Sequence, residues 1–155
     1  MNKESVRQLI VAQLDAACQN QARAAALARD EATHEESRPE SKYDTHSQEA
    51  AYLAEGQARL AAELAAARAA VAALPLPRFT AADPVALGAL VELEQPHGTA
   101  WYFIGPAAGG TSVQIDGHEI LVVTPPSPLG RQLMGAAVGA VIQLPRGRGR
   151  ILKVC

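Results

Sequence analysis

The chain has 155 residues, of which 48% are hydrophobic, a length that allows one domain or two small ones. Much of that hydrophobic fraction is alanine, and aromatic residues make up only 4%. Alanine buries little area, so one large core is excluded, whereas close packing of helices is favoured. The net charge of −2 excludes the broad basic surface that is typical of nucleic-acid-binding proteins.

The cysteines and the apolar runs indicate the compartment. Cys18 and Cys155 fit no metal or redox spacing, which predicts a protein of a reducing compartment. No apolar run reaches the ~18 residues of a membrane helix, and the N-terminal residues lack the apolar region of a signal peptide. We therefore expect a cytoplasmic protein that does not associate with membranes.

Residues 1–74 are expected to form two long helices. Heptad spacing is present in the second helix, at Leu53, Leu60, Leu64, Ala67, Val71 and Leu74. One side of the first helix is apolar, with Gln13 and Gln21 interrupting the stripe at Val6, Ile10, Leu14, Ala17, Ala24 and Leu27. Pro39 breaks the helical ladder between them. The pattern predicts an antiparallel coiled-coil hairpin, with an arm of roughly 45 Å that projects.

Beyond residue 74 the composition changes, and Pro and Gly recur every few residues. Pro75 and Pro77 predict a linker over residues 75–82. Residues 83–155 then alternate as strands do, at 89–94, 99–104, 111–115, 119–123, 140–144 and 150–154. Ser127 and Pro128 predict the N-cap and first residue of a short helix. The fold class is α+β, a helical hairpin followed by a small β-sheet domain with one short helix.

Charge is concentrated between the two helices. Residues 30–49 hold seven acidic and two basic residues, a net charge of −5 against −2 for the whole chain. One explanation is a solvated helix end, where acidic residues also suit the helix dipole. The other is a site for a divalent cation, because Mg²⁺ prefers carboxylate oxygens. Glu36, Glu40 and Asp44 are the candidate carboxylates, and His34 with His46 is a weaker zinc alternative.

Other residues are interpreted first as structural. The aromatic run 101–103 is expected in the core, with a peptide pocket as the rival, and Tyr43 and Tyr52 are expected to pack near the hairpin end. Residues 146–150 are expected to form a hairpin turn, with binding of an acidic partner as the alternative. The loop 105–110 lacks a strand–helix phosphate pattern. No nucleophilic triad or Cys/His pair stands out for nucleophilic catalysis.

Residues 122–135, together with Val138, Gly139 and Val141, resemble the C-terminal domain of the Gre transcript cleavage factors. In that family a strand leads to Ser-Pro, a short helix, Leu-x-Gly, Val-Gly and a final β-hairpin. The order of hairpin, proline-containing linker and FKBP-like domain also agrees, so the resemblance covers nearly the whole chain.

The resemblance implies a monomeric regulator of transcription elongation that binds bacterial RNA polymerase. The C-terminal domain would dock at the rim of the secondary channel through Ser127, Pro128, Leu129, Gly130 and Arg131. The hairpin would bring Glu36, Glu40 and Asp44 to the polymerase active site, near the nascent RNA. There Glu40 and Asp44 would be ligands of a Mg²⁺ shared with the polymerase. The polymerase would catalyse any RNA cleavage, and the chain would bind no cofactor alone.

The hairpin end departs from the family pattern. With Glu40 aligned to the family Glu, the family Asp position falls on Ser37. Stimulation of cleavage and cleavage-independent modulation both stay open. The alternatives are a Rnk-like regulator without cleavage activity, an FKBP-like prolyl isomerase or chaperone module, and a structural coiled coil.

Overall fold

A computed structural model describes residues 1–33, 46–145 and 147–155. Helix α1 spans Lys3–Thr33 and helix α2 spans His46–Ala72, and the two form the predicted helical hairpin. The chain divides into two compact units, one formed by Met1–Ala12 with Ala67–Cys155 and the other by Gln13–Ala66. The domain boundaries predicted from composition stay a prediction.

The start of α1 is tied to the end of α2 inside the larger unit. Arg7 Nη1 donates to the carbonyl oxygens of Leu74 at 3.0 Å and of Ala72 at 3.3 Å. These bonds satisfy carbonyls that a helix end leaves without a partner. Arg7 Nη2 also pairs with a carboxylate oxygen of Glu4 at 2.6 Å, which fixes the guanidinium over the helix end.

The predicted heptad seam is buried only near this end of the hairpin. Val71 and Leu74 are 0% and 6% exposed, but Leu53 is 55% exposed and Leu60 is 40% exposed. The prediction is therefore wrong for the outer part of α2, and also for Tyr52, which is exposed. Residues 16–26 of α1 are mostly alanine and glutamine, and such side chains can bury little apolar area of a partner helix.

Six strands form one mixed sheet, in the order β3-β4-β2-β1-β6-β5. Their bounds, and those of the one short helix, are β1 Leu90–Gln95, β2 Gly98–Ile104, β3 Ser112–Ile115, β4 His118–Val123, α3 Pro128–Leu133, β5 Val141–Leu144 and β6 Gly147–Val154. Strands β2 and β4 are parallel, and the other neighbours are antiparallel. Five of the strands agree with the sequence prediction to within one residue at each end.

The last strand begins earlier than predicted. Residues 146–149 were expected in the turn, but β6 already starts at Gly147, and Arg146 lies outside the described residues. A Cβ on Gly149 would lie 2.8 Å from the carbonyl oxygen of Glu94. Glycine therefore lets β6 approach β1 closely, and the pattern that suggested a turn instead extends the strand.

Both faces of the sheet are buried. Tyr102 and Ile104 join the core that α3 covers, together with Leu133 of that helix. Trp101 and Phe103 alternate to the opposite face and are 9% and 0% exposed. The core interpretation of the aromatic run is thus confirmed, and Tyr102 lies on the α3 side of the sheet.

Candidate functional site

A groove of about 960 Å³ opens on the α3 side of the sheet. We call it the head groove, and its lining comes from four loops, four strands and α3. It consists of Gln95, Pro96, His97, Tyr102, Gly109, Gly110, Leu121, Val122, Val123, Thr124, Ser127, Pro128, Leu129, Gln132, Gln143, Leu144 and Pro145. Its size is within the usual range of ligand pockets. It is the principal candidate site in the part of the chain that the structure describes.

The start of α3 forms one wall of the head groove. Ser127 is the N-cap: its hydroxyl oxygen accepts from the Gly130 N–H at 3.0 Å and donates to the Thr124 carbonyl at 2.7 Å. Pro128 follows in the first turn, where a missing N–H costs nothing. The predicted cap is therefore confirmed. The Ser127 hydroxyl is fully used within the chain, so it holds the wall in place.

The five predicted partner-binding residues are divided between wall and interior. Ser127, Pro128 and Leu129 line the head groove. Gly130 is buried beneath them. Arg131 is exposed outside the lining, and its Nη1 donates to the Pro126 carbonyl oxygen at 2.6 Å. Three of the five residues thus line one cavity, and Gly130 supports its wall from beneath. Binding of a partner by these residues stays a prediction.

Removing the cap should loosen this wall. We expect Ser127→Ala to lower the free energy of unfolding by about 1 kcal/mol, because the Gly130 N–H loses its acceptor. Ser127→Thr keeps the hydroxyl and should stay within about 0.5 kcal/mol of the wild type. Urea denaturation followed by the fluorescence of Trp101, the one tryptophan of the chain, measures both. Equal stability of the Ala and Thr variants would contradict the cap.

Tyr102 supplies the buried polar group of the head groove. The phenolic oxygen accepts a hydrogen bond from Gln95 Nε2 at 2.8 Å. Burial raises the pKa of Tyr102, and the bond from Gln95 only partly opposes this. The phenol therefore stays protonated and keeps a hydrogen to donate. The sequence placed Tyr102 in a strand, but only the fold brings it to a cavity.

Gln132 of α3 closes the edge of the sheet beside the head groove. Its Oε1 accepts from the backbone N–H of Gln143 at 2.8 Å, and its Nε2 donates to the carbonyl of the same residue at 3.1 Å. The carboxamide thus makes the two bonds that a neighbouring strand would make. Strand β5 is the last strand on its side of the sheet, and such an edge otherwise invites pairing with another chain.

Two of the three basic residues of β6 lie opposite acidic ones. Glu94 is the register partner of Arg150, and Glu92 is that of Lys153, whereas Arg148 lies opposite Gln143. Opposite charges across a strand pair offset each other. The positive charge of the strand is therefore partly offset, and residues 147–150 belong to β6 instead of the predicted turn.

The acidic hairpin end lies outside the described residues. This applies to Glu36, Glu40 and Asp44, as well as to His34, Ser37 and Tyr43. Across residues 1–33, 46–145 and 147–155, no group of three or more His, Cys, Asp or Glu side chains could hold a metal ion. No helix in these ranges is long and apolar enough to cross a membrane.

Comparisons with known proteins give remote structural likenesses. No family model matches the chain, and no curated protein matches it. Among solved structures, the GreA factor homolog 1 (Gfh1) of Thermus thermophilus is 17% identical, with 94% of each chain covered and a TM-score of 0.37. A second structure of the transcription factor Gfh1 is 16% identical, covers 94% of this chain and 93% of its own, and has a TM-score of 0.37.

Gfh1 of Thermus aquaticus is 20% identical, with 92% of this chain and 91% of that chain covered and a TM-score of 0.35. TM-scores this low do not establish a shared fold. Function must therefore be inferred from the residues of the chain itself.

Proposed function

We propose that this protein regulates transcription elongation by binding RNA polymerase. The observation that carries the proposal is the structure of the Gre-like motif: Ser127 caps α3, Pro128 opens it and Gly130 is buried under it. The motif thus forms one wall of a cavity, and it has the local structure that the resemblance implies. The helical hairpin and the small sheet domain with one short helix add support.

In this proposal the two parts of the chain have separate tasks. The head groove docks on the polymerase at the secondary channel, and the hairpin enters the channel as a monomer in the cytoplasm. Glu36, Glu40 and Asp44 then lie near the polymerase Mg²⁺ and the nascent RNA, with Glu40 and Asp44 as its ligands. When bound there, a second Mg²⁺ would supply activation of a water molecule and stabilisation of the leaving oxygen. Catalysis belongs to the polymerase, so the protein is an accessory factor.

A transcript cleavage assay on backtracked complexes tests this proposal. If the protein stimulates cleavage, we expect Glu40→Ala to lower the rate at least about tenfold, equivalent to 1.4 kcal/mol of the barrier. The reason is the loss of one carboxylate ligand. Glu55→Ala, which removes an exposed carboxylate from α2, is the matched control and should keep the wild-type rate.

The outcomes of the assay distinguish a factor that stimulates cleavage from one that modulates elongation without cleavage. Wild-type binding to core polymerase without cleavage identifies a modulator, for which Glu40→Ala should abolish the effect on elongation instead. Absence of polymerase binding in a low-salt pull-down contradicts the proposal altogether.

The head groove favours one second candidate, a prolyl isomerase or chaperone module. A concave pocket is the feature that such an activity needs, and the groove provides one. Among the described Phe, Tyr and Trp residues, the lining contains only Tyr102. A single aromatic ring provides little surface for binding a proline side chain. A proline-isomerisation assay at micromolar protein distinguishes this candidate from a polymerase-binding factor.

A further inference from the structure

We infer that the head groove seats an uncharged segment of the partner protein, and that a main-chain carbonyl of this segment accepts a hydrogen bond from Tyr102. The inference rests on the proposed function, because the predicted docking residues Ser127, Pro128 and Leu129 line the same groove. The inference adds the chemical character of the partner segment, and it names Tyr102 as the residue that recognises this segment.

The lining is poor in groups that could hold a charged occupant. None of the described residues that line the head groove is Asp, Glu, Lys or Arg, and His97 is its one basic side chain. A nucleic acid needs cationic side chains for its phosphates, and an acidic peptide needs them for its carboxylates. An occupant that carries such groups would lose their hydration without compensation. The complementary surface is therefore a neutral one, with Leu121, Leu129 and Leu144 as its apolar contacts.

Tyr102 specifies what the neutral occupant must offer. The side chain is 7% exposed, and its oxygen already accepts from Gln95. Among the described residues, no acceptor takes the phenolic hydrogen. A hydroxyl can donate one bond while it accepts another, and a buried donor without a partner costs free energy. A carbonyl oxygen of the occupant satisfies this donor, and a peptide presents such an oxygen at every residue.

Gln132 decides where this segment lies. Its carboxamide already bonds both outward backbone groups of Gln143, so the segment does not extend the sheet along β5 at that point. It lies between α3 and the sheet, where Leu129 and Tyr102 face the same cavity. Docking thus uses the hydroxyl of Tyr102 and contacts with apolar side chains. The backbone of Gln143 in β5 keeps its hydrogen bonds to Gln132.

The test uses the full-length chain and core RNA polymerase in a binding titration at two salt concentrations. We expect Tyr102→Phe to weaken binding at least about fivefold, the equivalent of about 1 kcal/mol, because one buried hydrogen bond is lost. The matched control is Thr99→Val, which removes an exposed hydroxyl from the same strand outside the head groove. It should bind as the wild type does. Thermal unfolding of each variant shows whether the fold is retained.

A second variant tests the neutrality of the site. Leu129→Glu places a carboxylate in the uncharged lining and should weaken binding at least about tenfold, since the charge loses hydration without a cationic partner. Wild-type affinity of Tyr102→Phe, or tighter binding by Leu129→Glu, overturns the inference while polymerase binding itself stands. Absence of binding by the wild type instead contradicts the proposed function.

Discussion

Gly130→Ala should lower the free energy of unfolding by about 3 kcal/mol, the upper range for overpacking. A Cβ at this position would lie 1.9 Å from the carbonyl oxygen of Thr124 and 2.9 Å from Ser127 Oγ. The first of these atoms is backbone and cannot rotate away. Relief requires that α3 move off the strand end, which breaks the cap of Ser127 and deforms the wall of the head groove.

Urea denaturation followed by Trp101 fluorescence measures the effect of Gly130→Ala. The matched control is Gly56→Ala, because a Cβ at Gly56 would meet nothing within 4 Å. That variant should be more stable than the wild type by roughly 0.5–1 kcal/mol, since alanine restricts the unfolded chain and favours the helix. A Gly130→Ala protein with wild-type stability would show that α3 does not press on Thr124. Polymerase binding should fall together with stability in this variant.

Gly88→Ala should cost about 2–3 kcal/mol, from two separate sources. Gly88 has φ +80°, a left-handed conformation that side chains rarely adopt. An added Cβ would also lie 2.6 Å from the Pro75 carbonyl oxygen and 3.3 Å from Pro77 Cδ. The linker passes close to Gly88. An added side chain at this position would therefore require that the proline segment move away.

Gly117→Ala separates the two sources of this cost. Gly117 has φ +77°, but a Cβ there would meet nothing within 4 Å. Its alanine variant should therefore lose only the conformational part, about 1–2 kcal/mol. The excess loss in Gly88→Ala measures the contact with the proline linker. Equal losses in the two variants would contradict the close approach.

Local patterns predicted most of the elements, because they depend on neighbours in sequence. Ser127 and Pro128 predicted the start of α3, since a capping hydroxyl and a fixed φ act within one turn. Alternation predicted that Tyr102 faces away from Trp101 and Phe103. The heptad pattern predicted α2 as well, but not how far Leu53 is covered, which depends on the residues opposite it.

The head groove could not be predicted from the sequence. Gln95 and Tyr102 lie on consecutive strands, but Gln132 lies on α3, 30 residues beyond Tyr102, and nothing in their local patterns sets them apart. The bonds of Gln132 to Gln143 depend on the position of α3 against β5. Similarly, the sequence suggested that Gly149 is a turn residue, but in the structure it lets β6 approach the carbonyl oxygen of Glu94.

By itself, the sequence determined the α+β class, the two long helices, the cap of α3 and the acidic charge between residues 30 and 49. All of these follow from propensity, periodicity or composition, which act over a few residues. Only the tertiary structure decided that Tyr102 keeps a hydrogen to donate in the head groove, and that Gly88 and Gly130 must remain glycine. Those properties are set by atoms from distant segments, whose approach is a result of packing and is not encoded at any one position.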